Sequence, residues 1–448
     1  MTLATVPRYD PGGLDGGGGR AVVVGASVAG LLAARVLADG FEEVTVVDRD
    51  PLVDEPTPRA GVPQARQPHV LWEAGRATIE DLFPGYSDDL VAAGGAVIDS
   101  RREFEQYSRG GFLAAGTEYL PVYSATRPLY ELLLRRRVAA LDGVRVRPGC
   151  RVTDYLADDA GAAVDGVAVR DGGAGRDELP ADLVVDATGR TSRTPRWLDE
   201  HGYAPPPVDE VRIDVGYSST FVERPEDDRR AIVAPAEAPR TRGGLVAPVE
   251  GGRWLVNVHG VHGDHPPADP DGVADFAASL PVPQPRRILD ERPQVGDVAR
   301  YPFPSNRRRR YEDLDRFPAG LVVVGDAIAS FNPIYGQGMS VAALEALALH
   351  RALAASDRQG LPLRFFDSVA DIVDGAWAMA VGADFGFPQT RGPKSRGTRF
   401  FGWYLGRLLR AAHDDGALTD AFVRVLSMQE APASLLRPGV AWRVLKPV

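Results

Sequence analysis

Short apolar runs and helical spacings alternate from the first ordered-looking stretch of the chain onward. Ala21-Val-Val-Val24 reads as a buried strand, Leu31 to Leu37 repeats its apolar positions at helical spacing, and Val44-Thr-Val-Val47 reads as a second strand. That succession predicts a βαβ unit. A helix is expected from near Pro68, with Val70, Leu71, Ala74 and Ala77 on one face. Another is expected over Pro128 to Leu141, where Leu129, Leu132, Leu133 and Val138 coincide. Residues 90–123 read as short strands with turns, and Val144 to Val152, Ala163 to Val169 and Leu183 to Val185 as further strands.

The texture changes at Val211. Val211, Ile213, Val215 and Tyr217 alternate with Arg212, Asp214 and Ser218, the period of a half-buried strand. Leu245 to Val249 and Trp254 to His259 flank Glu250-Gly-Gly252, a hairpin signal. In its second arm Trp254, Val256 and Val258 point one way, and Asn257 and His259 the other. An antiparallel sheet with one polar face follows from this pattern. Leu321-Val-Val-Val324 returns to the buried style, Met339 to Leu353 is a long helix, and 361–430 is mainly helical. The glycines at 12–13 and 16–19 make residues 1–19 read as a disordered tail. Residues 51–68, rich in proline and charge, read as a long loop.

Composition narrows the classes. The chain has 448 residues with 51 basic and 61 acidic side chains, a net charge of −10 that argues against a nucleic-acid partner. Its single cysteine, Cys150, excludes an internal disulfide and any cysteine-cluster metal site, and no metal is expected. No stretch reads as a membrane span, and the N-terminus lacks a basic flank followed by an apolar run. The expectation is a soluble, cytoplasmic protein.

Three motifs carry the chemistry. Gly25-Ala-Ser-Val-Ala-Gly30 sits between strand and helix, with Asp48 closing the next strand. Gly25 permits the tight turn, Ser27 is small enough for backbone to approach a pyrophosphate, and Gly30 lets helix and strand pack closely. The N–H groups around Val28 and Ala29 open the helix toward an anion, and Asp48 suits a ribose hydroxyl pair. The second motif is Asp186-Ala-Thr-Gly189 at the end of a buried strand. The third is Gly325-Asp326-Ala327, continuing through Asn332-Pro-Ile-Tyr-Gly-Gln-Gly338 into a helix. Each of the last two would alone be an ordinary strand-to-loop turn.

In order and distance the three together resemble the FAD-dependent monooxygenases of the aromatic-hydroxylase type, over about residues 20–360. Gly61-Val-Pro-Gln-Ala-Arg-Gln-Pro-His-Val-Leu-Trp72 and Asn332 to Ser340 look more narrowly like the bacterial squalene-epoxidase-like branch, which includes polyether epoxidases. Two positions depart from the family pattern: Ser27 replaces a glycine, and Ala187-Thr188 interrupt an Asp-Gly pair.

The resemblance implies an α/β fold, a Rossmann-like three-layer FAD domain of the glutathione-reductase type. It would be assembled from 20–90, 124–205 and 300–360, with a mainly antiparallel substrate domain from 91–123 and 206–299 and a helical C-terminal cap from 361–448. It also implies FAD contacts at Gly25, Ser27, Val28, Ala29, Gly30, Asp48, Arg49, Arg66, Arg127, Val152, Gly189, Gly325, Asp326, Pro333, Gly336, Gln337, Gly338 and Met339. The activity implied is insertion of one oxygen atom from O2 by way of a flavin C4a-hydroperoxide. NAD(P)H would be the reductant, directly or through a separate flavin reductase.

An alkene needs no deprotonation before it takes up electrophilic oxygen, whereas a phenol gains from a positioned base. No base is evident in the sequence. Epoxidation of a lipophilic polyene or polyketide-like metabolite is therefore the expectation, with aromatic hydroxylation, a flavin dehydrogenase or reductase, and a non-catalytic flavoprotein as alternatives. A flavin halogenase is disfavoured, because the Trp-x-Trp-x-Ile-Pro motif is absent and the only lysines are Lys394 and Lys446. His69, Tyr217, Trp254 and Phe331 are candidates for the substrate pocket, although each alone is more readily read as an ordinary structural or core residue. Trp377, Phe385, Phe387 and Trp403 could cap that pocket, and packing between helices explains them equally well. Arg307 to Arg310 reads as a solvated basic face rather than a phosphate-steering site.

Overall fold

Runs of valine and leucine with no polar alternation fit only inside a sheet covered on both faces. A computed structural model describes residues 1–14, 18–158, 161–171, 175–355 and 359–446, and it builds such a sheet. Strand β1 (Gly18–Val24) leads through helix α1 (Val28–Leu37) into β2 (Phe41–Val47). After α2 (Arg127–Ala139) come β3 (Val144–Arg147) and β4 (Leu183–Asp186). A long second sheet then intervenes with β5 (Val208–Glu223), β6 (Arg242–Val249), β7 (Arg253–Val261) and β8 (Gln294–Arg309). The chain returns with β9 (Leu321–Val323) and α3 (Gly338–Ala354).

The first sheet has the order β9-β4-β1-β2-β3, parallel throughout. Helices α1 and α3 share its core, as do Val164, Val167 and Val169 of an antiparallel three-stranded layer spanning Cys150–Ala157, Val164–Asp171 and Arg176–Pro180. The second sheet has eight strands, with β8-β5-β7-β6 antiparallel at its centre. Phe104–Ser108 joins it beside Ala231–Ala234, whereas Pro121–Ser124 pairs antiparallel with Ala96–Asp99 on one side and with Val70–Leu71 on the other, as a separate small sheet. Among the described residues the C-terminal part carries the α-helices α4 (Leu361–Asp384), α5 (Thr398–Ala411), α6 (Gly416–Leu426) and α7 (Pro438–Leu445). Among the described residues no helix is long and apolar enough to cross a membrane.

Two expectations need correction. The N-terminal residues are not a free tail. Thr2 and Val6 are buried, the Leu3 N–H donates to the Met428 carbonyl (3.0 Å), and Tyr9 lies under the Arg35 guanidinium. A few apolar anchors offset the ordering of so short a segment. Gly16 and Gly17 lie outside the described residues, while Gly18 and Gly19 open β1. The helix expected from Pro68 begins later, at Glu73, because Val70–Leu71 pairs as a short strand and Gln67 is tied to the second sheet.

Candidate functional site

Neighbouring parallel strands present their C-terminal ends along one sheet edge, the usual place for a ligand in a doubly wound fold. Here β2 delivers Asp48, β1 Gly25, β4 the Asp186–Gly189 turn and β9 the Gly325–Asp326 turn. These turns touch. A β-carbon on Gly25 (φ +111°) would lie 2.7 Å from the Ala187 carbonyl oxygen. One on Gly325 would lie 2.8 Å from Ala29 Cβ, and one on Gly189 3.8 Å from Asp326 Cβ. A β-carbon on Gly30 would overlap the Gly25 carbonyl oxygen. Three motifs far apart in sequence therefore form one surface.

That surface is rich in donors. The first helical hydrogen bond of α1 runs from the Leu31 N–H to the Ser27 carbonyl (2.9 Å), which leaves the N–H groups of Val28, Ala29 and Gly30 without a partner among the described residues. In α3 the Val341 N–H donates to Gln337 (2.9 Å), leaving those of Gly338, Met339 and Ser340. Neither first turn carries an acidic side chain. Beside α1 a cavity of about 560 Å³ is lined by Gly25, Ser27, Asp48, Arg49, Val152 and Thr188, among others.

A buried ionic network braces this cavity. Arg59 donates to Asp48 (3.1 Å), Asp50 (2.9 Å) and Glu131 (3.1 Å), and also to the Ala26 carbonyl (3.0 Å). Arg127 donates to Glu131 (2.8 Å) and to the Ser27 hydroxyl (2.7 Å). Asp48 accepts the Ala26 N–H (2.7 Å), which fixes the turn. Burial would raise the Glu131 pKa, but Arg127, Arg59 and the Ser27 hydroxyl outweigh it and hold the carboxyl below its ordinary range.

At the third motif Asp326 is half-buried and accepts no hydrogen bond among the described residues. Burial raises its pKa, against the charges of Arg127, Arg190 and Arg309. Beneath it Glu345 accepts the Gly325 N–H (2.6 Å), and burial pushes that carboxyl up to about 8. Gly336 (φ +63°) turns the chain toward α3, and the Gln337 amide donates to the Leu426 carbonyl (2.9 Å). Met339 is buried in the core.

A second, smaller cavity of about 40 Å³ lies where the polar face of the antiparallel sheet meets the 64–69 loop and Pro333. His69, Tyr217, Asn257, His259 and Tyr301 line it. The Ser219 hydroxyl donates to Gln67 (2.7 Å) and accepts from Asn257 (2.8 Å), tying loop to sheet. Loss of hydration pulls His259 down to about 3 and His69 to about 4, the latter helped by the charge of Arg127. Burial raises the Tyr217 and Tyr301 phenols. The Tyr217 hydroxyl donates to Asn332 Oδ1 (2.8 Å), and the amides of Asn332 (2.9 Å) and Asn306 (2.6 Å) both donate to Asp384 at the end of α4. Burial, against those two amide hydrogen bonds, lifts Asp384 to about 6.

Two sequence expectations fail here, those on Trp254 and on Arg307 to Arg310. Trp254 packs with Val222, Val256 and Ile288 on the opposite face of the sheet, far from Asn257 and His259. Alternation shows which residues share a face, not which face meets the cavity. Phe331 leans on Trp377 of α4 and lines neither cavity. Arg66 is exposed and lines neither. Arg307 to Arg310 is not a solvated face: Arg308 is buried against Asp374 and Glu312, Arg309 donates to two backbone carbonyls, and Arg310 pairs with Asp209. Conversely, Arg59, Glu131 and Asp384 were not anticipated. The four-residue spacing of Arg127 and Glu131 was a visible hint of pairing on a helix. Nothing local marked Arg59 or Asp384.

This convergence agrees with an independent sequence comparison. A family model described as FAD binding domain matches residues 20–360. The chain belongs to the FAD binding domain family. A relative named Protein Rv3254, from Mycobacterium tuberculosis (strain ATCC 25618 / H37Rv), is 35% identical over 426 residues, covering 92% of this chain and 90% of that protein. The fold is similar to the flavin-dependent brominase Bmp2, with a TM-score of 0.67 at 18% identity over 95% of this chain and 98% of that one. It is also similar to PqsL, a probable FAD-dependent monooxygenase from Pseudomonas aeruginosa, with a TM-score of 0.53 at 20% identity over 90% and 99%. Nothing shared with these relatives is specific to squalene-type or polyether epoxidases.

The residues present fit FAD. Free N–H groups at two helix starts suit its phosphates and electron-rich ring edge, and Arg127 adds a positive charge at Ser27. Asp48 and Asp326 offer carboxylate acceptors for hydroxyl groups. The larger cavity falls within the usual span for cofactor sites, roughly 300–1,000 Å³.

Proposed function

We propose that this member of the FAD binding domain family is a monooxygenase that epoxidises an alkene of a lipophilic, polyene- or polyketide-like substrate. In the balanced reaction, O2, NAD(P)H and a proton convert the alkene to an epoxide, water and NAD(P)+. NAD(P)H delivers its electron pair directly or through a separate flavin reductase. Bound FAD supplies the redox chemistry; the chain must orient the substrate and keep water out.

One observation carries this reading. The titratable side chains lining the small cavity are uncharged near neutral pH: burial depresses both histidines, and the two tyrosines are phenols that burial shifts further from ionisation. A substrate that reacts without deprotonation suits such walls. Leu245, Pro333 and Ile334 complete an apolar lining, with the Tyr217 oxygen as an acceptor beside it, while the Asn257 amide is engaged by Ser219 and His259. The Pro-Gln-Ala-Arg-Gln-Pro-His stretch, which looks like epoxidase sequence, forms one wall.

Aromatic hydroxylation is the second reading, favoured by Asp384. Its carboxylate lies one residue behind Tyr217 through Asn332, with a pKa of about 6. The test is oxygen-18 gas supplied to the FAD-loaded chain with NAD(P)H, with and without a flavin reductase, against polyenes and phenols. Label in an epoxide, with Asp384→Asn leaving the pH profile unchanged, is the expected outcome. Label confined to phenols, with a rate that rises through about pH 6 and loses that rise in Asp384→Asn, establishes the second reading. Oxidation of NAD(P)H with no label in any product contradicts both and leaves a dehydrogenase or reductase.

A further inference from the structure

The C-terminal part of the chain combines a positive charge with a cluster of exposed aromatic side chains. Beyond α4, residues 385–448 hold ten Lys or Arg against four Asp or Glu, a net +6 within a chain of net −10. Asp415, Asp420 and Glu430 are already engaged by Arg443, Thr117 and Arg437. Arg396, Arg399 and Arg410 make no ion pair among the described residues.

Large apolar side chains are exposed in the same place. Phe400 is 57% exposed, Trp403 52%, Trp442 73% and Leu445 50%. On α5, Arg399, Trp403 and Arg410 fall on one stripe at helical spacing, with Phe400 packed against Trp403 (ring centroids 5.9 Å apart). The opposite side of α5 is buried through Tyr404 and Leu408. On α7 the positions of Trp442, Leu445 and Lys446 likewise share a face, while Val444 is buried. The two helices are joined: Arg407 of α5 donates to the Val444 carbonyl of α7 (3.3 Å).

We infer that the exposed faces of α5 and α7 dock this protein onto an anionic membrane surface without crossing it. Tryptophan, phenylalanine and leucine beside unpaired arginines form the pattern of a helix lying in the headgroup region, where rings enter the apolar boundary and guanidinium groups reach lipid phosphates. A second copy of the chain is a poorer occupant. Two-fold docking of this face on itself would bring the same unpaired arginines together. The inference is independent of which substrate is oxidised.

The test uses the full FAD-loaded chain. It is sedimented with vesicles of mixed phosphatidylcholine and phosphatidylglycerol, and with vesicles of phosphatidylcholine alone. Binding to the mixed vesicles is expected to exceed binding to the neutral ones and to weaken with salt. Arg399→Ala and Arg410→Ala should each weaken it roughly fivefold. Trp403→Ser with Trp442→Ser should reduce it by more than tenfold on the order of the apolar burial lost, with FAD content and melting temperature unchanged. Failure of the native chain to sediment with the anionic vesicles overturns the inference, as does equal sedimentation of the tryptophan variants. Loss of a dimer in light scattering on the same tryptophan substitutions would assign the face to a second copy instead. Saturable binding of an acidic protein that leaves vesicle binding absent would assign it to that partner.

Discussion

Gly30→Ala should strip the protein of FAD. The added β-carbon would overlap the Gly25 carbonyl oxygen, a backbone atom that cannot rotate away. Relief requires α1 to move off the turn, which also shifts the free N–H groups of Val28 and Ala29. The strain lies at the upper end for overpacking, about 3 kcal/mol, or on the order of a 100-fold loss of affinity. Melting temperature should fall with it, since α1 packs against β1 and α3. Gly338→Ala provides the contrast. No atom lies within 4 Å of its β-carbon position, so the apoprotein should melt as before while FAD binding weakens. Calorimetric titration with FAD and thermal melts of both variants check this. Unimpaired binding by Gly30→Ala would show that the turn does not hold the cofactor.

Glu131→Ala should be the most destabilising change at the site. Its carboxylate answers two buried guanidinium groups, Arg59 and Arg127, and removing it leaves both short of a partner. Breaking a buried pair in this way costs about 3–5 kcal/mol. The effect has a pH signature. The folded pKa of Glu131 is depressed, so its contribution is full above the unfolded value of 4.5 and is lost as pH falls below that toward the folded one. Native protein should therefore lose stability on acidification more steeply than Glu131→Ala, and the two should converge at low pH. Chemical denaturation across that window measures both slopes. Parallel curves would remove Glu131 from the account.

The same residues show what a sequence can reveal. The Gly25–Gly30 turn, Asp48 and the Gly325–Asp326 turn were legible because each rests on local backbone demands: a tight turn, a close helix–strand approach, a strand end. The alternation in β5 and β7 was legible too, since period and burial are local. Arg59 and Asp384 were not. Arg59 lies in a proline-rich loop whose composition suggests solvent, and only folding brings Asp48, Asp50 and Glu131 around it. Asp384 ends a helix read as a cap, and its role depends on Asn306 and Asn332, which come from other parts of the chain. Trp254 was misassigned for the complementary reason: its face was clear from the pattern, but the side on which the 64–69 loop would settle was not. In the N-terminal segment, glycine and proline content masked the anchoring power of Val6 and Tyr9.

Three separated turns form one cradle that fits FAD. Its most direct measurement is the flavin released, per chain, when the purified and FAD-incubated protein is freed of excess cofactor and then denatured. Close to one FAD per chain is expected, falling sharply in Gly30→Ala. A folded chain that remains colourless and releases no flavin would contradict it.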